Sequence, residues 1–71
     1  MNELNTYNNI FVECINDLSK ETIIRCAKRN NEKPFGFVID YIKDNYSLPK
    51  PNGWDIAEKV LEYFEIDNDN F

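Results

Sequence analysis

The chain of 71 residues has no histidine, and it has only two cysteines, two glycines and three prolines. Without histidine it lacks the usual general base at neutral pH and the commonest metal ligand. Two cysteines are too few for a disulfide scaffold or a four-cysteine zinc site, and two separate glycines cannot form a glycine-rich phosphate loop. These absences argue against an enzyme, so we predict no catalytic residue, no metal and no cofactor.

The sequence also lacks any apolar run near the roughly 20 residues of a membrane span, and its start has no secretory signal pattern. We therefore expect a cytoplasmic protein of a bacterial host cell, with Cys14 and Cys26 as buried, reduced thiols. Asparagine occurs eleven times, and its codons, like those of Ile, Lys and Tyr, are AT-rich. This bias indicates an AT-rich genome, such as that of a low-GC bacterium or one of its phages.

Hydrophobic residues make up 42% of the chain, which is enough for one small globular domain at residues 1–71. Their spacing is helical throughout and predicts an all-α, compact single-domain bundle. The apolar face of the first helix runs from Leu4 to Leu18. The four amphipathic helices are predicted at residues 4–18, 20–30, 34–46 and 53–66, with a frayed acidic tail at 67–71.

Capping residues support these boundaries. Ser19 fits the N-cap of the second helix, and Pro34 fits the first turn of the third. Asn52 is expected to cap the fourth helix, with Asp55 in the capping-box position. The third helix has the broadest apolar face, which predicts a central helix covered by the other three. We expect Trp54 to close one end of the core.

Two motifs in the second half of the chain, Leu48-Pro49-Lys50 and Tyr63-Phe64-Glu65, stand where small bacterial domains of the YozE family have their own signatures. Those signatures are a Phe-Pro-Lys loop and an acidic helix that ends in Tyr-Leu-Glu. The chain therefore resembles YozE-like domains, which have a sterile-alpha-motif-like fold. The resemblance implies a compact helical bundle and no particular activity.

The charges are unevenly distributed along the chain. Residues 20–33 carry five cations and two acids, a net +3, whereas residues 34–71 carry three cations and eight acids, a net −5. Residues 1–19 add −3, and the whole chain has a net charge of −5. A separation of this kind affects the choice of partner and the rate of encounter rather than the fold.

The acids of the predicted fourth helix, extended by one acid of the tail, form what we call the acidic stripe. Two apolar residues at the edge of this helix are expected to be partly exposed anchors. We predict a small regulator or inhibitor, encoded by a phage or mobile element, that occludes a basic, nucleic-acid-binding surface of a partner protein. A purely solubilising role for the stripe is the alternative. The stripe comprises Asp55, Glu58, Glu62, Glu65 and Asp69, and the anchors are Ile56 and Tyr63.

The cations of the second helix and its flanks form the basic patch, which favours two alternatives. One is direct binding of nucleic acid, although the acidic chain and the lack of aromatics in the patch argue against it. The other is salt-sensitive self-assembly of basic patch on acidic stripe. If neither applies, we expect the patch to pair with acids of the chain itself. The patch comprises Lys20, Arg25, Lys28, Arg29 and Lys33.

Overall fold

The computed structural model describes the backbone of residues 3–71 and the side chains of residues 7–71, so the predicted place of Leu4 in the core lies outside the described side chains. The described backbone contains four helices and no strand, which confirms the predicted all-α bundle. Each described helix is too short or too polar to span a bilayer. The helices are α1 (Glu3–Asp17), α2 (Lys20–Arg29), α3 (Pro34–Tyr46) and α4 (Lys50–Tyr63).

The ends of α2 and the start of α3 follow from local sequence. Ser19 Oγ accepts the backbone N–H of Thr22 at 3.1 Å, so the predicted N-cap is confirmed. At the other end Asn31 takes the left-handed conformation with φ of 58°, which asparagine tolerates better than most residues. Pro34 occupies the first turn of α3, as predicted, where its missing N–H leaves no bond unmade.

Helix α4 begins three residues earlier than the predicted residue 53. Its first residue is Lys50, and Pro51 lies in the first turn, where the fixed φ of proline suits a helix. Asn52 is therefore inside the helix, with its N–H donated to the carbonyl of Pro49 at 2.9 Å. The predicted N-cap at Asn52 and the capping box with Asp55 are wrong, because the helix begins at Lys50, two residues before Asn52.

The carboxyl end of α4 also comes three residues before the predicted residue 66. Glu65 is left-handed with φ of 55°, and its N–H donates to the carbonyl of Glu62 at 3.1 Å. The N–H of Ile66 donates to the carbonyl of Leu61 at 2.9 Å. This pair of bonds is a Schellman motif, and the buried side chains of Leu61 and Ile66 supply its usual apolar contact. The chain thus turns back towards the core after α4.

Helix α3 lies at the centre, as predicted, because it packs against α1, α2 and α4. Its Val38 and Ile42 are fully buried. Helix α1 also packs on α4, whereas α2 packs on α3 alone within the described part of the chain. The core consists of Ile10, Cys14, Leu18, Ile23, Ala27, Val38, Ile39, Ile42, Ile56, Ala57, Val60, Leu61 and Ile66.

The tail after α4 makes definite contacts with the start of α3, which differs from the expected frayed segment. Asn68 Oδ1 accepts the backbone N–H of Phe35 at 2.8 Å, and Lys33 Nζ lies 2.8 Å from Asp69 Oδ1. Lys33, the N-cap residue of α3, makes no side-chain capping bond of its own. The first turn of a helix has unpaired N–H groups, so Asn68 supplies a cap from 33 residues away.

We expect Asn68→Ala to lower the free energy of unfolding by about 1 kcal/mol, because loss of a capping acceptor typically costs that much. Urea denaturation followed by circular dichroism measures the change. Asn70→Ala is the matched control, since Asn70 is exposed and its amide makes only a long, 3.4 Å bond to Asp67. Equal effects of the two substitutions would show that the tail does not cap α3.

The two cysteines are free, and they differ in burial. Cys14 is fully buried, as predicted, whereas Cys26 is only half-buried, so the prediction of a second buried thiol is wrong. Burial, with smaller contributions from Asp17 and Glu13, raises the pKa of Cys14 to about 11. A thiol with a raised pKa stays protonated at neutral pH and reacts slowly, because the thiolate is the nucleophile.

Labelling with a thiol reagent at pH 8 is accordingly expected to modify Cys26 first and Cys14 only when the protein unfolds. Cys14 is both inaccessible and protonated at that pH, whereas Cys26 has access to solvent. Mass spectrometry of the labelled protein over time, with and without urea, measures the two rates. Simultaneous labelling without urea would contradict the burial of Cys14.

Candidate protein-binding surface on α4

The outer side of α4 carries three exposed carboxylates, Asp55, Glu58 and Glu62, which form the acidic face. Their spacing of three and four residues places them on one side of the helix. The other two members of the predicted stripe lie elsewhere. Glu65 is in the left-handed turn beyond the helix, and Asp69 is paired with Lys33 in the tail. The predicted five-residue stripe is wrong, because α4 ends before it can continue.

The acidic face has no cationic partner within the described part of the chain. The two ion pairs found there are Lys33–Asp69 at 2.8 Å and Lys50–Asp40 at 3.3 Å. Glu58 and Glu62 thus have no Lys or Arg nitrogen within 4 Å. Exposed Lys59 is also on α4, so the face and this lysine together carry a net −2.

Trp54 borders the acidic face, one helical turn before Glu58. We expected this residue in the core, but its exposed fraction is 53%. Its ring packs on that of Phe35 from α3, with ring centroids 4.6 Å apart and planes inclined at 63°. Phe35 thus holds the indole in place while about half of Trp54 remains open to solvent. Large exposed aromatics are favoured as anchors at protein interfaces.

An open groove of about 450 Å³ lies beside Trp54, and we call it the aromatic groove. Buried Leu61 and Ile66 give it an apolar bottom, and the two exposed glutamates contribute negative charge at its edge. Apolar surface with a few charged groups beside it can hold and orient a side chain of a partner. Its lining consists of Phe35, Trp54, Leu61, Ile66, Asn68, Glu58 and Glu62.

The opposite flank of α4 carries the two predicted anchors, which differ in exposure. Tyr63 is 59% exposed, with its ring centroid 6.1 Å from that of Phe11 on α1. Ile56 is only 3% exposed, so the expectation that it is partly exposed is wrong. Helix α1 covers it, and Tyr7 and Phe11 line the narrow cleft between the two helices. Ile56 contributes to the core, and Tyr63 remains a predicted anchor.

We expected acids of the chain to pair with the basic patch on α2, but most of its cations have no such partner. Arg25, Lys28 and Arg29 are exposed and have no carboxylate oxygen within 4 Å among the described residues. Lys33 is the exception, since it pairs with Asp69. Helix α2 contacts neither α1 nor α4 within the described backbone, which explains why acids on those helices do not reach its cations.

Comparison of the chain with protein-family models, with curated proteins and with solved structures gave no match. The resemblance to YozE-like domains stays a prediction. The chain folds as a small all-α bundle. Such bundles have many different functions, so the function depends on the features of the surface.

Proposed function

We propose that the chain is a non-enzymatic protein-binding regulator or inhibitor that places the outer side of α4 on a basic surface of a partner protein. The observation that carries the proposal is that Glu58 and Glu62 have no cationic partner in the described chain and lie beside half-exposed Trp54. Interfaces with complementary charge gain fast, salt-sensitive association, and a buried aromatic anchor adds affinity.

A nucleic-acid-processing enzyme fits this description of the partner, and occlusion of its basic surface is the proposed mechanism. Glu58 and Glu62 are one helical turn, about 6 Å, apart along the axis. Phosphates of one DNA strand repeat every ~3.4 Å, so the acidic face imitates their spacing only in part. The aromatic groove must therefore contribute to binding. An inhibitor of this kind suits a phage or mobile element, and the abundance of asparagine fits the AT-rich genome that such an element can have.

The test of the proposal is the double variant Glu58→Lys/Glu62→Lys. We expect its affinity for a partner to fall at least about 100-fold, because two charges are reversed and losing one side of a hydrogen-bonded charge pair buried in an interface costs about 2–5 kcal/mol. The partner is first captured on the wild-type chain, identified by mass spectrometry and purified. Calorimetric titration of the purified partner then measures both affinities.

The matched control is Asp17→Lys/Asp44→Lys, which changes the net charge by the same amount at exposed acids of α1 and α3. This control is expected to keep most of the affinity. Equal losses of affinity in the two double variants would show that binding depends only on net charge, and this result would contradict the proposal. Added duplex DNA is expected to compete with the chain for the partner, and a lack of competition would remove the occlusion mechanism.

The unneutralised cations of α2 favour a second candidate function, direct binding of nucleic acid. Arg25, Lys28 and Arg29 share one exposed side of a helix that packs only on α3 within the described structure. A mobility-shift assay at low salt distinguishes this candidate from the first. Direct binding of nucleic acid requires that the wild-type chain retards DNA and that replacing the three cations with alanine abolishes the retardation.

A further inference from the structure

We infer that the aromatic groove accepts an arginine side chain of the partner, flanked in the partner's sequence by an aliphatic residue. This inference rests on the proposed function and specifies the chemistry that α4 recognises. It depends on three features of the groove, namely its two aromatic rings, the carboxylates around them and its apolar bottom.

The rings of Trp54 and Phe35, the aromatic pair, are inclined at 63° with centroids 4.6 Å apart. Phe35 is half-buried and holds the indole from one side, whereas Trp54 is 53% exposed. An exposed indole face attracts cations through its ring quadrupole, and tryptophan does so best among the aromatic residues. The aromatic pair therefore offers a fixed surface on which a cationic group can stack.

Carboxylates border the aromatic pair on both sides. Glu58 and Glu62 line the aromatic groove itself, and Glu32 and Asp40 line a second groove of about 290 Å³ on the other side of the rings. Lys50 is 3.3 Å from Asp40 and neutralises one of the four acids. The remaining three have no cation within 4 Å in the described chain. The complementary ligand is positively charged.

Arginine fits this surface better than lysine. Its planar guanidinium stacks on an aromatic face while its N–H groups bind carboxylates in a fork, whereas the lysine ammonium is a compact and strongly hydrated charge. Leu61 and Ile66 at the bottom of the groove can take the methylene stem of the arginine and a neighbouring aliphatic side chain.

The probe for this inference is a synthetic peptide of alternating arginine and leucine. Trp54 is the only tryptophan of the chain, so tryptophan fluorescence and the indole N–H resonance report on the surroundings of this one residue. We expect a saturable change with the arginine peptide. Binding is expected to be at least about tenfold weaker when citrulline, a neutral isostere, replaces arginine, and about threefold weaker when lysine does.

Variants of the chain locate the binding site. Trp54→Ala and Glu58→Gln/Glu62→Gln are each expected to weaken the arginine peptide at least about fivefold in a titration followed by backbone amide shifts. Val12→Ala, which removes an exposed apolar side chain on α1 away from the proposed surface, is expected to leave the affinity unchanged. Equal binding of the arginine and citrulline peptides, or amide shifts confined to the Tyr63 flank, would overturn the inference.

The purified partner separates this inference from the proposed function. If Glu58→Lys/Glu62→Lys weakens partner binding and Trp54→Ala does not, the proposed function is supported and the arginine site is contradicted. If neither variant weakens partner binding, the proposed function and the arginine site are both contradicted. If both variants weaken it and Val12→Ala does not, the arginine site is supported as part of the interface.

Discussion

Replacing Ile42 with alanine is expected to lower the free energy of unfolding by about 2–5 kcal/mol, the usual range for a large aliphatic residue in a core. Ile42 is fully buried on the central helix α3 and faces α4 near Gly53. The cavity left by its truncation lies at the most extensive helix contact of the bundle, between α3 and α4. Collapse around the cavity would require the two helices to move.

The effect is large relative to the stability of a chain of this size. At about 0.05–0.15 kcal/mol per residue, 71 residues give a total of about 4–11 kcal/mol. Urea denaturation followed by circular dichroism measures the change. Val12→Ala on α1 is the control, since Val12 is 48% exposed and its loss is expected to cost less than about 0.5 kcal/mol. Similar costs at both positions would contradict the assigned core.

Replacing Gly53 with valine is expected to destabilise the fold by about 1–3 kcal/mol, through overpacking rather than a cavity. Gly53 is buried in the first half of α4, and a Cβ atom there would lie 3.2 Å from Ile42 Cγ2 and 3.7 Å from Leu48 Cδ2. The extra methyl groups of valine would have to displace Ile42. Glycine is needed here for the close approach of α4 to α3.

A double-mutant cycle tests this explanation. In an Ile42→Ala background the opposing methyl group is gone, so the cost of Gly53→Val is expected to fall by at least about 1 kcal/mol. Denaturation of the wild type, the two single variants and the double variant gives the coupling energy. Additive effects within about 0.3 kcal/mol would show that the valine acts through something other than contact with Ile42.

Most of the fold could be predicted from amphipathic spacing and capping residues. Helices α1, α2 and α3 begin and end within one residue of the predicted bounds, because Ser19 and Pro34 mark their boundaries locally. The start of α4 was missed because Asn52 also fits a cap. Pro51 favours a position in the first turn, so the helix begins at Lys50 rather than at residue 53.

The exposure of individual side chains was harder to predict. Ile56 and Tyr63 are seven residues apart, so they point in directions that differ by only about 20° on α4. Their exposed fractions are nonetheless 3% and 59%. Helical periodicity gives the direction of a side chain around the axis, but it does not say how closely the neighbouring helix packs at each point along that axis.

The candidate site was predicted only in part. Glu58 and Glu62 lie on the exposed side of α4 as their spacing indicated, whereas Trp54 was placed in the core and Asp69 on the stripe. Asp69 pairs with Lys33, 36 residues away, and no local pattern signals such a contact. For Trp54 a signal was present, because it lies one turn before Glu58 on the same side of the helix.

The turn at Glu65 makes the proposed binding surface depend on residues 66–68, which contribute none of the carboxylates of the acidic face. Ile66 lines the aromatic groove, and Asn68 binds the backbone of Phe35, whose ring supports the tryptophan. A protease that cut the chain after Glu65 would keep the carboxylates of the acidic face but would remove Ile66 and Asn68 from the groove. Proteolytic trimming would thereby separate the contribution of charge from that of the groove in the proposed contact.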